Sequence, residues 1–385
     1  MRILLFLVVT LIFYGSFFPF TYVPHVPTRG DLVHLFLVWP ARVSAVDAAG
    51  NLLLFVPLGL CIPAGSPARW RWSLWLAGGI AFAWGLQYLQ FWFPSRDPTA
   101  SDAWFNTAGI LLGIALAARA RFFVRAHVQS LALASPLWPV ASVLMLLWLA
   151  YRWFPLVPTL DVDNLRHALR PLLLRPRWEG GRVLHDTAAW LFWFLLLRHS
   201  PWHGISSRVA GAFAVAVLLI EPIFWQSVVS LSNVVGLLLA LVLRPWFTRD
   251  PAAARRVLVM LLASIVVSGL TPWPRAGPPQ PFMWMPFAGL LNGNMLGNTA
   301  ALIEKCYLYG GVVLLLGQIG LRLPVAGLLL ASGLWGIEWL QRWSPGRTPE
   351  MTDPLLALLL GMIFQTALAA KFAAPGAGSD VTRES

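Results

Sequence analysis

Charged residues are scarce in this chain, and the common signatures of soluble enzymes are missing from it. Only 11% of the 385 residues are Asp, Glu, Lys or Arg, whereas soluble domains carry about 25%. The sequence has no HExxH motif, no cysteine cluster, no glycine-rich phosphate loop and no dinucleotide fingerprint. Its two cysteines, Cys61 and Cys306, lie far apart in apolar segments, which argues against a disulfide framework. We therefore expect no metal site and no cofactor.

Apolar residues dominate what is present. Hydrophobic residues account for 58% of the chain, and a helix that crosses a bilayer needs about 20 of them in succession. The apolar segments predict an all-α, polytopic membrane protein with about twelve transmembrane helices. These helices are expected at residues 3–20, 46–63, 72–93, 102–118, 132–154, 184–198, 207–225, 227–246, 255–271, 295–319, 323–343 and 353–373.

Acidic residues are rare in the loops on one side of these helices. If the chain crosses twelve times, the loops on the side of the termini hold more than half of the basic residues and only Asp250, Asp380 and Glu384 as acids. Cytoplasmic loops carry an excess of Lys and Arg, so both termini are predicted to be cytoplasmic. The formal net charge of +12 then reflects topology and contact with anionic lipid headgroups. No nucleic-acid-binding module accompanies the arginines, so membrane lipids, and not nucleic acid, are the expected partners.

A polar segment occurs twice. Residues 84–102 and 335–353 match without a gap at nine of nineteen positions, which include tryptophan, glycine, glutamine, proline, arginine and aspartate. Such a match between unlike residue types indicates an internal repeat. In both copies the end of an apolar helix leads through a proline-arginine elbow into the next helix. We call residues 91–99 the first elbow and residues 342–350 the second elbow.

A third, weaker relative lies in the middle of the chain. Asp47, Asp186 and Asn298 each begin the second helix of a predicted four-helix unit, and Glu221 stands where Gln87 stands in the first unit. We expect three units, at residues 1–127, 128–250 and 251–375, with arginine-rich linkers near 127 and 250 and a disordered tail at 376–385. Four helices is an even number, so the units are predicted to share one orientation.

Polar residues of the repeat recur at helical spacing. Gln87 and Gln90 are three apart and share a helix face, and Glu338 and Gln341 repeat the pair. We expect such residues to form ligand-binding sites on the outer surface. The full set is Asp47, Asn51, Gln87, Gln90, Arg96, Asp102, Asn106, Asp186, Glu221, Asn298, Glu338, Gln341, Arg347 and Asp353.

Plainer roles explain part of this set equally well. Asp102 and Asp353 each begin a helix, where a carboxylate caps backbone N–H groups. Arg96 and Arg347 could anchor the elbows in the headgroup layer. Asp102, Gly109 and Gly113 lie on one stripe of a helix, and such small residues allow close helix approach.

The arrangement Asp47-x3-Asn51, Gln87-x2-Gln90, Pro94-x-Arg96, Asp102-x3-Asn106-x2-Gly109-x3-Gly113 resembles the VanZ-like membrane proteins. The resemblance is specific over residues 45–117, good for the second elbow and faint in the middle unit. The family usually has glutamate where this chain has Gln87, and Glu338 supplies it in the last unit. The resemblance implies an integral protein of the bacterial cytoplasmic membrane and low-level resistance to lipoglycopeptides such as teicoplanin. It implies no particular reaction.

Three functions compete. The leading hypothesis is a cell-envelope protein, without identified catalytic residues, that binds a lipid headgroup, a lipoglycopeptide or a cell-wall precursor. Arg96 and Arg347 would then contact an anionic group. A proton-coupled transporter is the first alternative, because acidic residues such as Glu221 and Glu338 are predicted at membrane depth. An intramembrane enzyme with paired carboxylates is the second, although the sequence shows neither a nucleophile motif nor a metal cluster.

Overall fold

A computed structural model of the chain describes residues 2–18, 20–24, 26–39, 43, 45–62, 69–159, 161–174, 176–248, 252–275, 277–291 and 295–372. Asp47 lies on a described helix, but its side chain is outside the described part. The linker predicted near 250 and the tail predicted at 376–385 also fall outside it.

The described residues form an all-helical protein, and only two isolated β-bridges interrupt the pattern. The helices are α1 (Arg2–Phe17), α2 (Arg29–Leu37), α3 (Ala45–Cys61), α4 (Arg69–Leu89), α5 (Ala100–Ala134), α6 (Trp138–Arg152), α7 (Val162–Leu173), α8 (Gly180–Leu196), α9 (Ser207–Ile220), α10 (Leu231–Thr248), α11 (Ala253–Gly269), α12 (Ala288–Leu291), α13 (Met295–Gln318), α14 (Leu323–Gln341) and α15 (Thr352–Phe372). Short 3-10 turns continue α4, α8 and α9 at Gln90–Trp92, Leu197–His199 and Glu221–Ile223.

Each of the twelve predicted apolar segments overlaps a helix, but three further helices were not predicted, and the predicted boundaries at 118 and 132 differ from the structure. α2, α7 and α12 are short and lie in segments that were expected to be loops. The prediction that one helix ends at 118 was wrong, because α5 continues to Ala134. No glycine or proline occurs between Gly113 and Pro136, so nothing in the backbone interrupts the helix. Residue 127, which was expected in a linker, is therefore helical.

Several helices suit a bilayer in length and composition. Among the described residues four are long and apolar enough to cross a membrane, namely Ala100–Arg119, Leu231–Thr248, Gly297–Gln318 and Leu323–Gln341. Four shorter apolar helices accompany them, at Leu5–Phe17, Ala48–Cys61, Trp138–Arg152 and Thr352–Leu368. Large apolar side chains also face outward, for example Phe6, Leu219 and Val242, each more than 60% exposed. Such surfaces fit contact with lipid.

The chain forms two compact units, residues 1–128 and 129–385. In the first unit α3 and α5 pack with their backbones in contact. A Cβ atom on Gly59 would lie 2.1 Å from the carbonyl oxygen of Ile110, and one on Gly113 would lie 2.2 Å from that of Val56. Only glycine fits at such a distance, so the glycine stripe predicted on α5 lies against a neighbouring helix.

The second unit is built around α8. Thirteen of its seventeen residues are buried, and they include Trp190 and Phe192. The helix packs against α10 and α11, while α13 packs against α6 and α15. α14 and α15 meet at glycines, since a Cβ on Gly327 would lie 3.2 Å from the Cα of Gly361. This packing brings the first turns of α8 and α15 and the middle of α13 close to the last turns of α11 and α14.

Candidate functional site

The first elbow is fastened to the end of α1. The Gln87 side-chain oxygen accepts a hydrogen bond from the Thr99 N–H at 3.2 Å. Gln90 donates to the Ser16 carbonyl at 3.0 Å. Arg96 donates from Nη2 to the carbonyls of Gly15 at 2.8 Å and Phe18 at 2.9 Å. These carbonyls lie where α1 ends and would otherwise lack helical partners.

The second elbow makes the same bonds within the other unit. Glu338 accepts from the Glu350 N–H at 2.9 Å, and Gln341 donates to the Gly269 carbonyl at 2.8 Å. Arg347 donates to the Ser268 carbonyl at 2.6 Å and from Nε to the Thr271 carbonyl at 3.2 Å. Each donor or acceptor side chain is 251 positions after its counterpart in the first elbow. Three repeated polar positions, 87/338, 90/341 and 96/347, therefore have equivalent local partners.

Both elbow arginines thus bind helix-end carbonyls. Arg96 is half-buried, and this burial lowers the pKa of its guanidinium. An arginine pKa starts so high that the group remains a cation at neutral pH. The predicted contact of Arg96 and Arg347 with an anionic ligand would have to use guanidinium N–H groups outside these bonds, such as Nη1.

At the start of α5 the carboxylate of Asp102 pairs with the neutral amide of Asn51 from α3. Asn51 donates from Nδ2 to Asp102 Oδ1 at 2.7 Å. The Asp102 N–H donates to the Thr99 hydroxyl at 3.2 Å. One turn further along α5, Asn106 is buried, and its Oδ1 has no hydrogen-bond partner among the described residues. Polar contacts of Asp102 therefore connect α3, the first elbow and α5.

The middle of the chain has a related polar cluster that contains two salt bridges. Arg152 lies between Asp186, at 3.2 Å, and Glu221, with which it forms a second salt bridge. Asn233 donates to Asp186 Oδ2 at 3.0 Å. All four side chains are buried, so the predicted residues Asp186 and Glu221 do come together, through an arginine that was not predicted.

At the start of α15 the aspartate has a different partner from its counterpart on α5. Asp353 accepts from Lys305 Nζ at 2.6 Å and from the Tyr309 hydroxyl at 2.6 Å. Asp353 is buried, and the Lys305 side chain is about one-third exposed. Asn298 lies apart from this pair, since it donates to the carbonyls of Gly289 and Leu290.

The Lys305–Asp353 pair borders a cavity of about 860 Å³ within the unit 129–385. Its charged lining residues are Glu179, Arg182, Glu304, Lys305, Glu338, Arg347, Glu350 and Asp353. Apolar walls come from α11, α13 and α14, for example Ile265, Leu308 and Leu334. A cavity of this size and mixed lining is typical of small-molecule sites.

A second polar cluster borders the same cavity. His185 Nε2 lies 2.9 Å from Glu304 Oε1, and the Tyr151 hydroxyl lies near the same carboxylate. On its other side His185 Nδ1 lies 3.3 Å from the Ser264 hydroxyl. The order serine, histidine, glutamate is that of a hydrolytic triad. Ser264 is fully buried and does not line the cavity, so this serine orients the histidine and is not placed to attack a ligand.

Comparison with known proteins gives one family. Residues 2–123 match the family model described as VanZ/LLP1. This part of the chain is VanZ-like. The match confirms the resemblance based on Asp47 to Gly113 and covers the first elbow. No curated protein and no solved structure gives a significant match.

The VanZ-like segment and the cavity occupy different parts of the sequence. The cavity is lined by residues between Tyr151 and Asp353, whereas the family match ends at 123. Four of the predicted site residues line the cavity, namely Glu338, Gln341, Arg347 and Asp353. Of the others, Asn51, Gln87, Gln90, Arg96, Asp102 and Asn106 lie at the first elbow or beside it, Asp186 and Glu221 lie in the Arg152 cluster, and Asn298 lies beside α12. The side chain of Asp47 is outside the described residues.

Sequence reasoning missed two members of the Arg152 cluster, Arg152 itself and Asn233. Asn233 is the third residue of α10 and follows Ser232, just as Asp102 follows Ser101 and Asp353 follows Thr352 near the starts of α5 and α15. The shared hydroxyl-then-Asp/Asn pair was a usable signal. Arg152 gave no such signal, because a lone arginine at the end of an apolar helix usually reaches the headgroups.

Proposed function

We propose that this VanZ-like membrane protein binds the polar part of an amphipathic ligand in the 860 Å³ cavity. One observation carries the proposal: two charged pairs, His185–Glu304 and Lys305–Asp353, border a cavity whose other walls are apolar. Charged groups among apolar helices are costly and are usually kept for a function. The ligand classes we propose are lipid headgroups, lipoglycopeptides and cell-wall precursors.

The size of the cavity limits how such a ligand binds. Pockets of about 300–1,000 Å³ hold drug-sized molecules. A whole lipoglycopeptide such as teicoplanin is larger, so we propose that only its polar or acyl portion enters. Resistance to teicoplanin would then arise from sequestration or altered presentation of the drug at the membrane surface.

The topology belongs to the same proposal. We propose twelve transmembrane helices in three parallel four-helix units, 1–127, 128–250 and 251–375, with both termini on the cytoplasmic side of a bacterial cytoplasmic membrane. The equivalent hydrogen bonds of Gln87 and Glu338, and of Arg96 and Arg347, support common ancestry of the first and last units. In this topology the cavity opens toward the outer side.

The two elbow arginines provide a matched test. Each binds carbonyls at the end of a helix, but only Arg347 lines the cavity. We expect Arg347→Ala to weaken teicoplanin binding about tenfold or more, because a hydrogen bond to a charged group contributes about 1.5–3 kcal/mol. Arg96→Ala is expected to leave binding unchanged. The measurement is titration calorimetry of each purified protein in nanodiscs.

Melting temperatures of both variants provide the control for folding. Equal loss of binding in both variants would mean that the arginines act only by holding the elbows. Absence of binding to the wild type, together with unaltered teicoplanin susceptibility of expressing cells, would remove this drug from the ligand classes.

Proton-coupled transport is a second candidate, favoured by the position of Glu338. This buried carboxyl group lines the cavity and accepts one backbone hydrogen bond, which Gln87 also accepts in the first elbow. Glu338→Gln should therefore keep the fold while removing the titratable group. We expect a transporter to lose proton-driven uptake into proteoliposomes in this variant, and retained uptake in Glu338→Gln would exclude Glu338 as the coupling group.

A further inference from the structure

A second, smaller cavity lies at the other end of α8. Its volume is about 220 Å³, and it is lined by the end of α8, the start of α9 and the end of α10. The polar lining side chains are those of Arg198, His203, Ser207, Arg244 and Thr248. None of the residues that line it is acidic, so the cavity has a positive potential.

Arg244 is held in place at this cavity. It donates from Nη1 to the Ser207 carbonyl at 2.7 Å and from Nη2 to the Ser207 hydroxyl. Its guanidinium also lies 5.0 Å from the centre of the Phe194 ring. A preorganised guanidinium loses little side-chain entropy when an anion binds.

The start of α9 adds to the positive potential. The helix begins at Ser207 and runs for fourteen residues, with the Ser206 hydroxyl accepting from the Val209 N–H. Unpaired N–H groups and the helix dipole favour an anion at this position. The two arginines and the N-terminus of α9 therefore all favour binding of an anion in this cavity.

Exposed apolar side chains adjoin the small cavity. Ile205 lines it, and Trp202, Val209 and Trp246 are close in sequence to other lining residues; each of the four is more than 40% exposed. Exposed tryptophans are typical of the headgroup layer of a bilayer. A soluble phosphate would gain nothing from these apolar side chains, whereas the glycerol and first acyl carbons of a lipid would gain from contact with them.

We propose that this basic cavity binds the phosphate of an anionic phospholipid. Basic pockets between helix ends on the cytoplasmic side bind such headgroups, and the arginine distribution predicts that this end of α8 is cytoplasmic. The site is independent of the proposed ligand site. His185 lines the large cavity and Phe194 lines the small one, and these two residues are nine positions apart on α8, which is about 14 Å along the helix.

Native mass spectrometry of the full-length protein tests the proposal. The probes are phosphatidylglycerol and phosphatidylcholine of the same acyl chains, supplied in equal amounts in detergent micelles. We expect the wild type to retain phosphatidylglycerol preferentially. Arg198→Gln, at an exposed position, is expected to lower that preference about fivefold, as about 1 kcal/mol per arginine implies. Arg244→Gln should lower it at least as much.

Two controls keep the result interpretable. Arg166→Gln removes an exposed arginine from α7 and is expected to leave the lipid preference unchanged. Inorganic phosphate is added as a competitor and is expected not to displace the lipid. An unchanged preference in Arg198→Gln, measured on protein with a normal gel-filtration profile, would overturn the site. Full displacement by millimolar inorganic phosphate would overturn the assignment of a lipid.

Discussion

Asp102 and Asp353 occupy the same position of the repeated segment but have partners of different charge. Asp102 pairs with the amide of Asn51, whereas Asp353 pairs with Lys305 and Tyr309. Loss of the carboxylate charge leaves an amide beside an amide in the first case. In the second case it leaves a largely buried lysine without its counter-ion, which is far more costly.

We predict different outcomes for the same substitution at these two positions. Asp102→Asn should lower the free energy of unfolding by about 1 kcal/mol, the value of one hydrogen bond. Asp353→Asn should lower it by about 2–3 kcal/mol, less than for a fully buried pair because Lys305 reaches the cavity. Thermal denaturation in detergent, followed by tryptophan fluorescence, measures both. Equal melting temperatures would show that the Lys305–Asp353 pair contributes no extra stability.

The site residues could be predicted where polar residues recur in the repeated segment. A charged residue outside the repeat could not be predicted in this way. Gln87, Gln90 and Arg96 could be singled out because their spacing recurs 251 positions later. Their partners could not, since a backbone carbonyl at the end of α1 or α11 leaves no mark in the sequence. Lys305 was not among the predicted site residues, because its distance from Asp353 along the chain hid the salt bridge.

Among the helices, α3 and α5 are held together by glycines. Gly113 on α5 has no space for a side chain, whereas Gly78 on α4 has nothing within 4 Å of its ideal Cβ position. The two glycines therefore give a matched pair within one compact unit. Both lie inside helices, where glycine itself is less favourable than alanine by about 0.5–1 kcal/mol.

We predict opposite effects of alanine at these glycines. Gly113→Ala would place a methyl group 2.2 Å from the Val56 carbonyl oxygen, so the helices must separate and the melting temperature should fall. Gly78→Ala should leave the melting temperature unchanged or raise it slightly. The measurement is a thermal melt of each purified variant. A stable Gly113→Ala protein would mean that the α3–α5 contact is looser than the structure describes.

Apolar helices were predictable one by one, whereas short polar helices were not. The twelve long apolar segments are visible because lipid-facing and buried faces are both hydrophobic. α7 is short, carries many polar residues and has Pro171 near its end. For these reasons its sequence resembles that of a loop. It is fixed by tertiary contacts, for example the Asn164 side chain donating to the carbonyls of Pro222 and Phe224.

For the chain as a whole, the arginine distribution gives a testable orientation. In a background with Cys61→Ala and Cys306→Ala, we predict that Asp163→Cys on α7 is labelled by a membrane-impermeant maleimide added to intact cells or spheroplasts. His203→Cys, in the loop between α8 and α9, should be labelled only after permeabilisation. Both side chains are exposed in the structure, so accessibility depends on the side of the membrane. The reverse pattern would invert the topology and place the large cavity on the cytoplasmic side.

The glycine contact between α14 and α15 limits how the large cavity can open. Their backbones touch at Gly327 and Gly361, and the second elbow between them is tied by the Glu338–Glu350 hydrogen bond. We expect this hairpin to move as one rigid body, because sliding one helix along the other would break both contacts. Widening of the cavity is therefore expected to involve its other walls, which are the start of α8, the end of α11 and the middle of α13, and movement of these helices would set the rate at which a bulky ligand exchanges.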